Sequence, residues 1–287
     1  MNGRIRTWLC GGVLAVVALT GCDASLDSFL YRRARVGAYE LPAEGDTPEE
    51  TVAPERLELV DIRVDDRVRL GAVYVHANEA PARGAVIYFH GQCCSLNEHV
   101  DRAKRLSNLG YDVLAFDYRG WGTSTDVTPT EAGLLEDSRA ALAWVVQRRG
   151  VPRERLTYYG RSFGAAVAVQ LAEVEPPAAL ILESPFASVE AFKADATRMD
   201  FPAHYVAKDE WDNVARIRNI PSALLLLHGL EDDFVRPEFS EQIFEAANEP
   251  KKLVLVEGAD HGDVPERMGD AYAETVRAWI AAQTPAP

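Results

Sequence analysis

Apolar positions along the chain follow three different periods, each predicting a different element. Val60, Ile62 and Val64 alternate with charged residues, Asp65-Asp66 supply turn chemistry, and Val68, Leu70, Ala72 and Tyr74 resume the alternation. This period-two pattern predicts an antiparallel hairpin. Beyond it come short runs that are apolar at every position: AVIYF (85–89), VLAF (113–116), LTYY (156–159), ALIL (179–182), ALLLL (223–227) and LVLV (253–256). Runs apolar on both faces suit strands covered by helices on both sides, as in a parallel sheet. Helical stripes lie between them: Leu134, Leu135, Ser138, Leu142, Val145 and Val146; then Phe239, Ile243 and Ala247; then Val264, Met268, Tyr272, Val276 and Ile280. The alternation predicts an α/β fold with a mostly parallel central sheet, an N-terminal antiparallel hairpin and helices on both faces, joined by right-handed crossovers. No internal repeat interrupts it.

The N-terminus has a different character. Arg4 and Arg6 precede an apolar run from Trp8 to Leu19, the length of an export-signal core and too short for a membrane span. Leu19-Thr20-Gly21-Cys22 resembles the bacterial lipobox, which predicts a lipoprotein signal peptide over 1–21 and lipid attachment at Cys22; the alternatives are an ordinary signal peptide or an uncleaved anchor helix. Asp23 resembles a signal for retention in the inner membrane, facing the periplasm. The expected localisation is therefore a lipid-anchored protein of the bacterial cell envelope. Residues 22–56, with Pro42, Pro48, Pro54 and the acidic stretch EGDTPEE, read as a lipidated tether, and 57–287 as the domain.

Composition narrows the classes further. With 47% apolar residues the chain is not disordered, and 44 acidic against 30 basic side chains, a net charge of −14, argue against a nucleic-acid partner. Cleavage before Cys22 removes two arginines and no acid, leaving 266 residues at −16. Four cysteines are too few for a disulfide scaffold, so packing must hold the fold.

The chemistry gathers at the ends of the apolar runs. LTYY leads into Gly160-Arg161-Ser162-Phe163-Gly164 and then AAVAVQLAEV, a small, apolar stretch suited to a buried helix. Strand, G-x-S-x-G, helix is the setting of a nucleophile elbow. A serine needs a base, and the base an orienting acid, in the chain order Ser, acid, His. Of the six histidines, only His228 and His261 lie C-terminal to both Ser162 and the 201–221 segment. His228 ends a strand in HGLEDD and is expected to be structural; His261, in the loop Gly258-Ala259-Asp260-His261-Gly262, is the expected base. Asp232 is the expected acid, with Asp233, Glu231 and Glu183 as rivals in that order. Two backbone amides should form an oxyanion hole: that of Phe163, after the serine, and that of Gln92, in the loop after AVIYF. His90 reads as structural. Asp117 to Ser124 (DYRGWGTS) lacks a following phosphate-binding Lys and reads as a tight turn beside the site.

In these segments the chain looks like the α/β-hydrolase superfamily and, within it, like the small-lid serine hydrolases of the Bem46 and ABHD13 type. YFHGQ, FDYRGWGTS, GRSFG, ESPFAS, HGLEDDFV and GADHGD follow that group's order from about residue 58 onward. The resemblance implies an esterase- or thioesterase-like serine hydrolase without metal or cofactor, acting on a small acyl ester or thioester. An aminopeptidase or amidase of the same fold, and a non-catalytic envelope-binding lipoprotein, are the alternatives. Where the group usually carries Asn and small residues after HG, this chain reads Gln92-Cys93-Cys94-Ser95. The pair could be free thiols or a vicinal disulfide, and without an adjacent base neither is an expected nucleophile. Residues 187–221 read as a small helical lid whose aromatics, Phe192, Met199, Phe201, Tyr205 and Trp211 among its apolar members, line an acyl pocket or pack on the core.

Overall fold

In a computed structural model, residues 30–196 and 209–285 are described; the signal segment 1–21, Cys22, and Met199, Phe201 and Tyr205 of the expected lid lie outside the described residues. The hairpin forms where the alternation predicts it. Strand β1 (Leu57–Arg63) pairs antiparallel with β2 (Arg69–Val75), Ile62 opposite Leu70, and Asp65 Oδ1 closes the turn by accepting from the amides of Arg67 (2.6 Å) and Val68 (2.8 Å). The six solid runs become β3 (Ala85–Phe89), β4 (Asp112–Phe116), β5 (Leu156–Arg161), β6 (Ala179–Glu183), β7 (Ala223–Gly229) and β8 (Lys251–Val256). The eight strands lie in the order β1-β2-β4-β3-β5-β6-β7-β8, antiparallel from β1 to β4 and parallel thereafter.

Both faces of the inner strands β3 to β7 are covered, which is why these strands are buried at nearly every position. Ile87, Phe89, Leu180, Leu182, Leu224 and Leu226 pack on one face under α2 (Glu131–Arg148), α3 (Phe163–Val174) and α6 (Pro237–Ala246). Val86, Tyr88, Ile181, Leu225 and Leu227 pack on the other under α1 (Leu96–Ser107) and the C-terminal helices. Helix α1 was not anticipated, although Leu96, Val100, Ala103 and Leu106 are its buried stripe and Ser95 with Glu98 caps its start. The last stripe is not one helix. Gly269, at φ +53°, separates α7 (Val264–Met268) from α8 (Asp270–Gln283).

The tether expectation fails over 30–56, which lies against the domain. Leu30, Tyr31 and Val52 are buried, Arg35 and Gly122 share a β-bridge, Tyr39 OH donates to Asp117 Oδ2 at 2.6 Å, and Glu50 pairs with Arg105 at 2.8 Å. Prolines mark this segment as non-repetitive, but its apolar and aromatic side chains still find places on the core. In the insert between β6 and β7, α4 (Val189–Ala196) and α5 (Asn213–Ile217) flank Trp211, whose indole is fully buried and donates to Tyr31 OH at 3.3 Å. No described helix is long and apolar enough to cross a membrane.

Candidate active site

The site begins at the end of β5. Ser162 sits on the turn into α3 with φ +53° and ψ −119°, a strained conformation for a residue with a side chain. Two glycines make the turn possible: a Cβ on Gly164 would lie 2.1 Å from the Phe89 carbonyl oxygen, and one on Gly160 would lie 2.5 Å from that of Gly164. The Ser162 amide donates to the Glu183 carbonyl at 2.8 Å, tying the turn to β6.

Parallel order then brings the other groups to the same sheet edge. His261, in the loop after β8, has Nε2 2.9 Å from Ser162 Oγ and Nδ1 2.8 Å from Asp232 Oδ2. Asp232, in the loop after β7, is held from two sides: Oδ1 accepts from the amides of Phe234 (3.0 Å) and Val235 (2.8 Å), and Oδ2 also faces His228 Nε2 at 3.1 Å. Burial alone would raise this carboxyl's pKa. The hydrogen bonds from His228 and His261, the charge on His261 and the Val235 amide outweigh burial and hold it well below the usual carboxylate range. The rivals lie elsewhere: Glu231 and Asp233 are exposed, and Glu183 is buried with Arg102 (3.0 Å) and the Tyr159 hydroxyl.

Gln92 follows β3 and Phe163 starts α3, and the pairing of Phe89 with Gly160 brings these strand ends side by side. Neither backbone amide meets an acceptor among the described residues. Trp121 Nε1 donates to the Gln92 carbonyl at 2.9 Å and Tyr118 OH to that of His90 at 2.9 Å, so the DYRGWGTS turn buttresses this loop as expected. His90 is buried, its Nε2 3.1 Å from Asp117 Oδ1.

A cleft of about 310 Å³, counted to its open mouth, leads from Ser162 and Gln92. Its other walls are apolar: Leu30, Phe163, Phe186, Val189, Phe192, Phe234 and Val235. Phe192, from the expected lid, thus lines the pocket, whereas Trp211 packs edge-on against Phe163 in the core. Leu30 was missed because its segment read as a tether.

Cys93 and Cys94, one residue past Gln92, are free thiols. The expectation that they lack a base is corrected: buried His99, stacked on His90 at 4.9 Å, donates from Nε2 to the Cys93 carbonyl at 2.8 Å and helps to lower the pKa of that thiol. Sequence distance hid this neighbour, which a turn of α1 brings back. His228 was expected to be structural, and its contact with Asp232 has the i, i+4 spacing of HGLEDD as its only sequence signal.

Several known proteins resemble this chain. A family profile described as serine aminopeptidase, S33, matches residues 80–208. The uncharacterized protein Rv2307c of Mycobacterium tuberculosis is 33% identical over 93% of this chain and 94% of its own length, and YfhR of Escherichia coli (strain K12) 32% identical over 79% and 81%. The human alpha/beta hydrolase domain-containing protein 17B is 30% identical over 74% of this chain and 71% of its own. Among solved structures, the Pyrococcus furiosus esterase Pf2001 superposes with a TM-score of 0.67 at 22% identity, covering 85% of this chain and 98% of that one. With that relatedness and this eight-stranded sheet, the chain belongs to the α/β-hydrolase superfamily.

Proposed function

We propose that the protein is a serine hydrolase that cleaves a carboxylic ester or thioester through an acyl-enzyme, and that Cys22 anchors it by lipid to the bacterial envelope. The single observation that carries the catalytic reading is the hydrogen-bonded run Ser162 Oγ, His261 Nε2, His261 Nδ1, Asp232 Oδ2, with steps of 2.9 and 2.8 Å. In the first half-reaction Ser162 Oγ bonds to the substrate carbonyl carbon while its proton passes to His261 Nε2, and Asp232 steadies the imidazolium. The Gln92 and Phe163 amides donate to the oxyanion; loss of one such donor typically costs about 2.7–4 kcal/mol of barrier. The C–O or C–S bond then breaks, the leaving group taking the proton from His261. In the second half-reaction water adds to the acyl carbon with His261 as base, and Ser162 departs with the returned proton.

An apolar cleft with Gln92 and Ser162 as its polar members suits an acyl chain better than a peptide amine. Aminopeptidase activity, which the matching profile's description raises, would call for an acidic group to hold the substrate amine, and among the described residues no carboxylate lines this cleft. Ser162→Ala should lose both fluorophosphonate labelling and p-nitrophenyl butyrate hydrolysis while folding normally; retention of either rejects the assignment. Aminoacyl amides tested beside the ester separate the two enzyme readings. Incorporation of labelled palmitate, abolished by Cys22→Ala, tests the anchor.

A further inference from the structure

The cleft wall and the N-terminal segment are the same piece of chain. Leu30 lines the cleft beside Ser162, and Tyr31 fastens that segment by packing edge-on against Phe163 (5.9 Å) and Trp121 (6.3 Å). Its hydroxyl donates to Asp209 and accepts from Trp211, and Arg35 Nη1 donates to the Trp121 carbonyl at 3.1 Å. Only seven residues, eight chain steps, separate Leu30 from Cys22, the expected lipid site. Fully extended they span at most about 28 Å, less than the thickness of a bilayer's hydrocarbon core. A domain anchored through Cys22 therefore keeps this cleft within one short segment of the membrane surface.

The rim has matching chemistry. Leu230 and Phe234, in the loop that carries Asp232, are 47% and 37% exposed, and Phe234 also lines the cleft. Exposed apolar side chains beside an apolar cleft suit contact with acyl chains. Among the described residues the cleft lining includes no Lys or Arg for a phosphate headgroup, and the net charge of −16 left after cleavage before Cys22 disfavours an anionic lipid surface.

We propose that the substrate is a neutral acylglycerol resident in the same bilayer that holds the lipid anchor, its acyl chain entering the cleft between Leu30 and Phe234. This rests on the esterase and lipid-anchor readings above. The reaction is the acyl transfer already described: the glycerol oxygen leaves with the proton from His261, and water releases a fatty acid.

The test uses the full lipidated chain reconstituted in phosphatidylcholine vesicles, with monooleoylglycerol either in the same vesicles or in separate ones. Same-vesicle hydrolysis should be faster by about tenfold or more, as expected for a tethered site at high effective concentration. Inserting a flexible Gly/Ser segment of ~40 residues between Leu26 and Asp27, with a mean reach of roughly 35 Å, should remove most of that advantage. Leu230→Glu should slow glyceride hydrolysis several-fold. Neither variant should alter hydrolysis of soluble p-nitrophenyl butyrate. Equal rates from the two kinds of vesicle, indifference to the insert, or turnover of an S-acylated peptide in place of the glyceride each overturn the proposal while butyrate hydrolysis leaves the esterase reading standing. Loss of butyrate hydrolysis in the parent protein rejects the esterase reading itself, and absence of palmitate on Cys22 rejects the anchor and this inference with it.

Discussion

His228 and His261 meet on one oxygen: Oδ2 of Asp232 lies 3.1 Å from His228 Nε2 and 2.8 Å from His261 Nδ1. His228 is pinned from the other side as well, with Nδ1 2.6 Å from Ser240 Oγ and Nε2 2.7 Å from the Val235 carbonyl. Because Nε2 faces two acceptors, it carries the hydrogen, and Nδ1 accepts from the Ser240 hydroxyl. On the proposed mechanism His228 is thus a positioning residue that holds Asp232, which in turn holds His261. His228→Leu should lower kcat for p-nitrophenyl butyrate by about ten- to hundredfold with KM within about twofold, the scale of a small misplacement at a reacting centre. His228→Gln, whose side-chain amide can still donate, should restore most of the rate. Equal kcat in the Leu variant and the parent would remove this role.

The same carboxylate sets an acid dependence. Burial pushes the Asp232 carboxyl up, but two imidazoles and the Val235 amide bring it below its unfolded value. A depressed carboxyl stabilises the fold at pH above its unfolded value near ~4, and that contribution disappears as pH falls towards its folded value. Relative to the parent, Asp232→Asn should therefore lose stability at neutral pH and converge on the parent as pH is lowered through the carboxylate range. Urea unfolding at a series of pH values measures the difference, and a gap independent of pH would contradict the assignment.

Most of this fold was legible because its strands are short and solidly apolar, a pattern that helices on both faces explain and that turn residues delimit. Ser162, Asp232 and His261 were legible because each stands at a strand end in a fixed chain order. What stayed hidden depends on contacts between distant segments. Leu30 shares a cleft with Phe234 two hundred residues away, and His99 reaches Cys93 only after α1 turns back on the loop. The proline-marked stretch 30–56 has no period to reveal that Tyr31 and Tyr39 dock on the FDYRGWGTS segment. Long-range packing of irregular chain leaves little local trace.

The vicinal thiols differ sharply in reactivity. A hydrogen bond from the Cys94 thiol, aided by His99 and the Arg161 charge and opposed by burial, lowers Cys93, whereas donating that bond, burial and the charge on Cys93 push Cys94 up. Cys93 is then the thiol of the pair that ionises first, at a lower pH than an ordinary cysteine. Iodoacetamide labelling at Cys93 should rise far less between pH 6 and pH 8 than the roughly 75-fold of an ordinary thiol with pKa ~8.5. Peptide mapping should find the label on Cys93 and not on Cys94. A rate that climbs with pH like an ordinary thiol would refute the lowered value.

Glu183 is a buried carboxylate with partners of its own, apart from the Asp232 proposed as the acid. It is fully buried on β6, where it pairs with Arg102 at 3.0 Å, lies 3.4 Å from Arg161 Nε and accepts from the Tyr159 hydroxyl. Both guanidiniums continue to the histidine loop: Arg161 Nη2 donates to the His261 carbonyl at 3.2 Å and Arg102 Nη2 to that of Gly262 at 3.4 Å. One buried carboxylate thus pairs with two partly buried guanidiniums that hold the histidine loop, Arg102 also lying 3.7 Å from Glu266. Glu183→Gln removes the buried partner they share, Glu266 remaining near Arg102, and should cost about 1–3 kcal/mol of stability in urea unfolding. Counted per fluorophosphonate-labelled site, its kcat should stay within about tenfold of the parent, because Asp232 still orients His261. Were Glu183 the acid of the catalytic run, the folded variant would lose about 10⁴-fold, the scale seen when a triad aspartate becomes an amide. Arg161→Met should show the complementary result: a modest fall in kcat from a looser His261 loop, with less loss of stability, since Arg102 still pairs with Glu183.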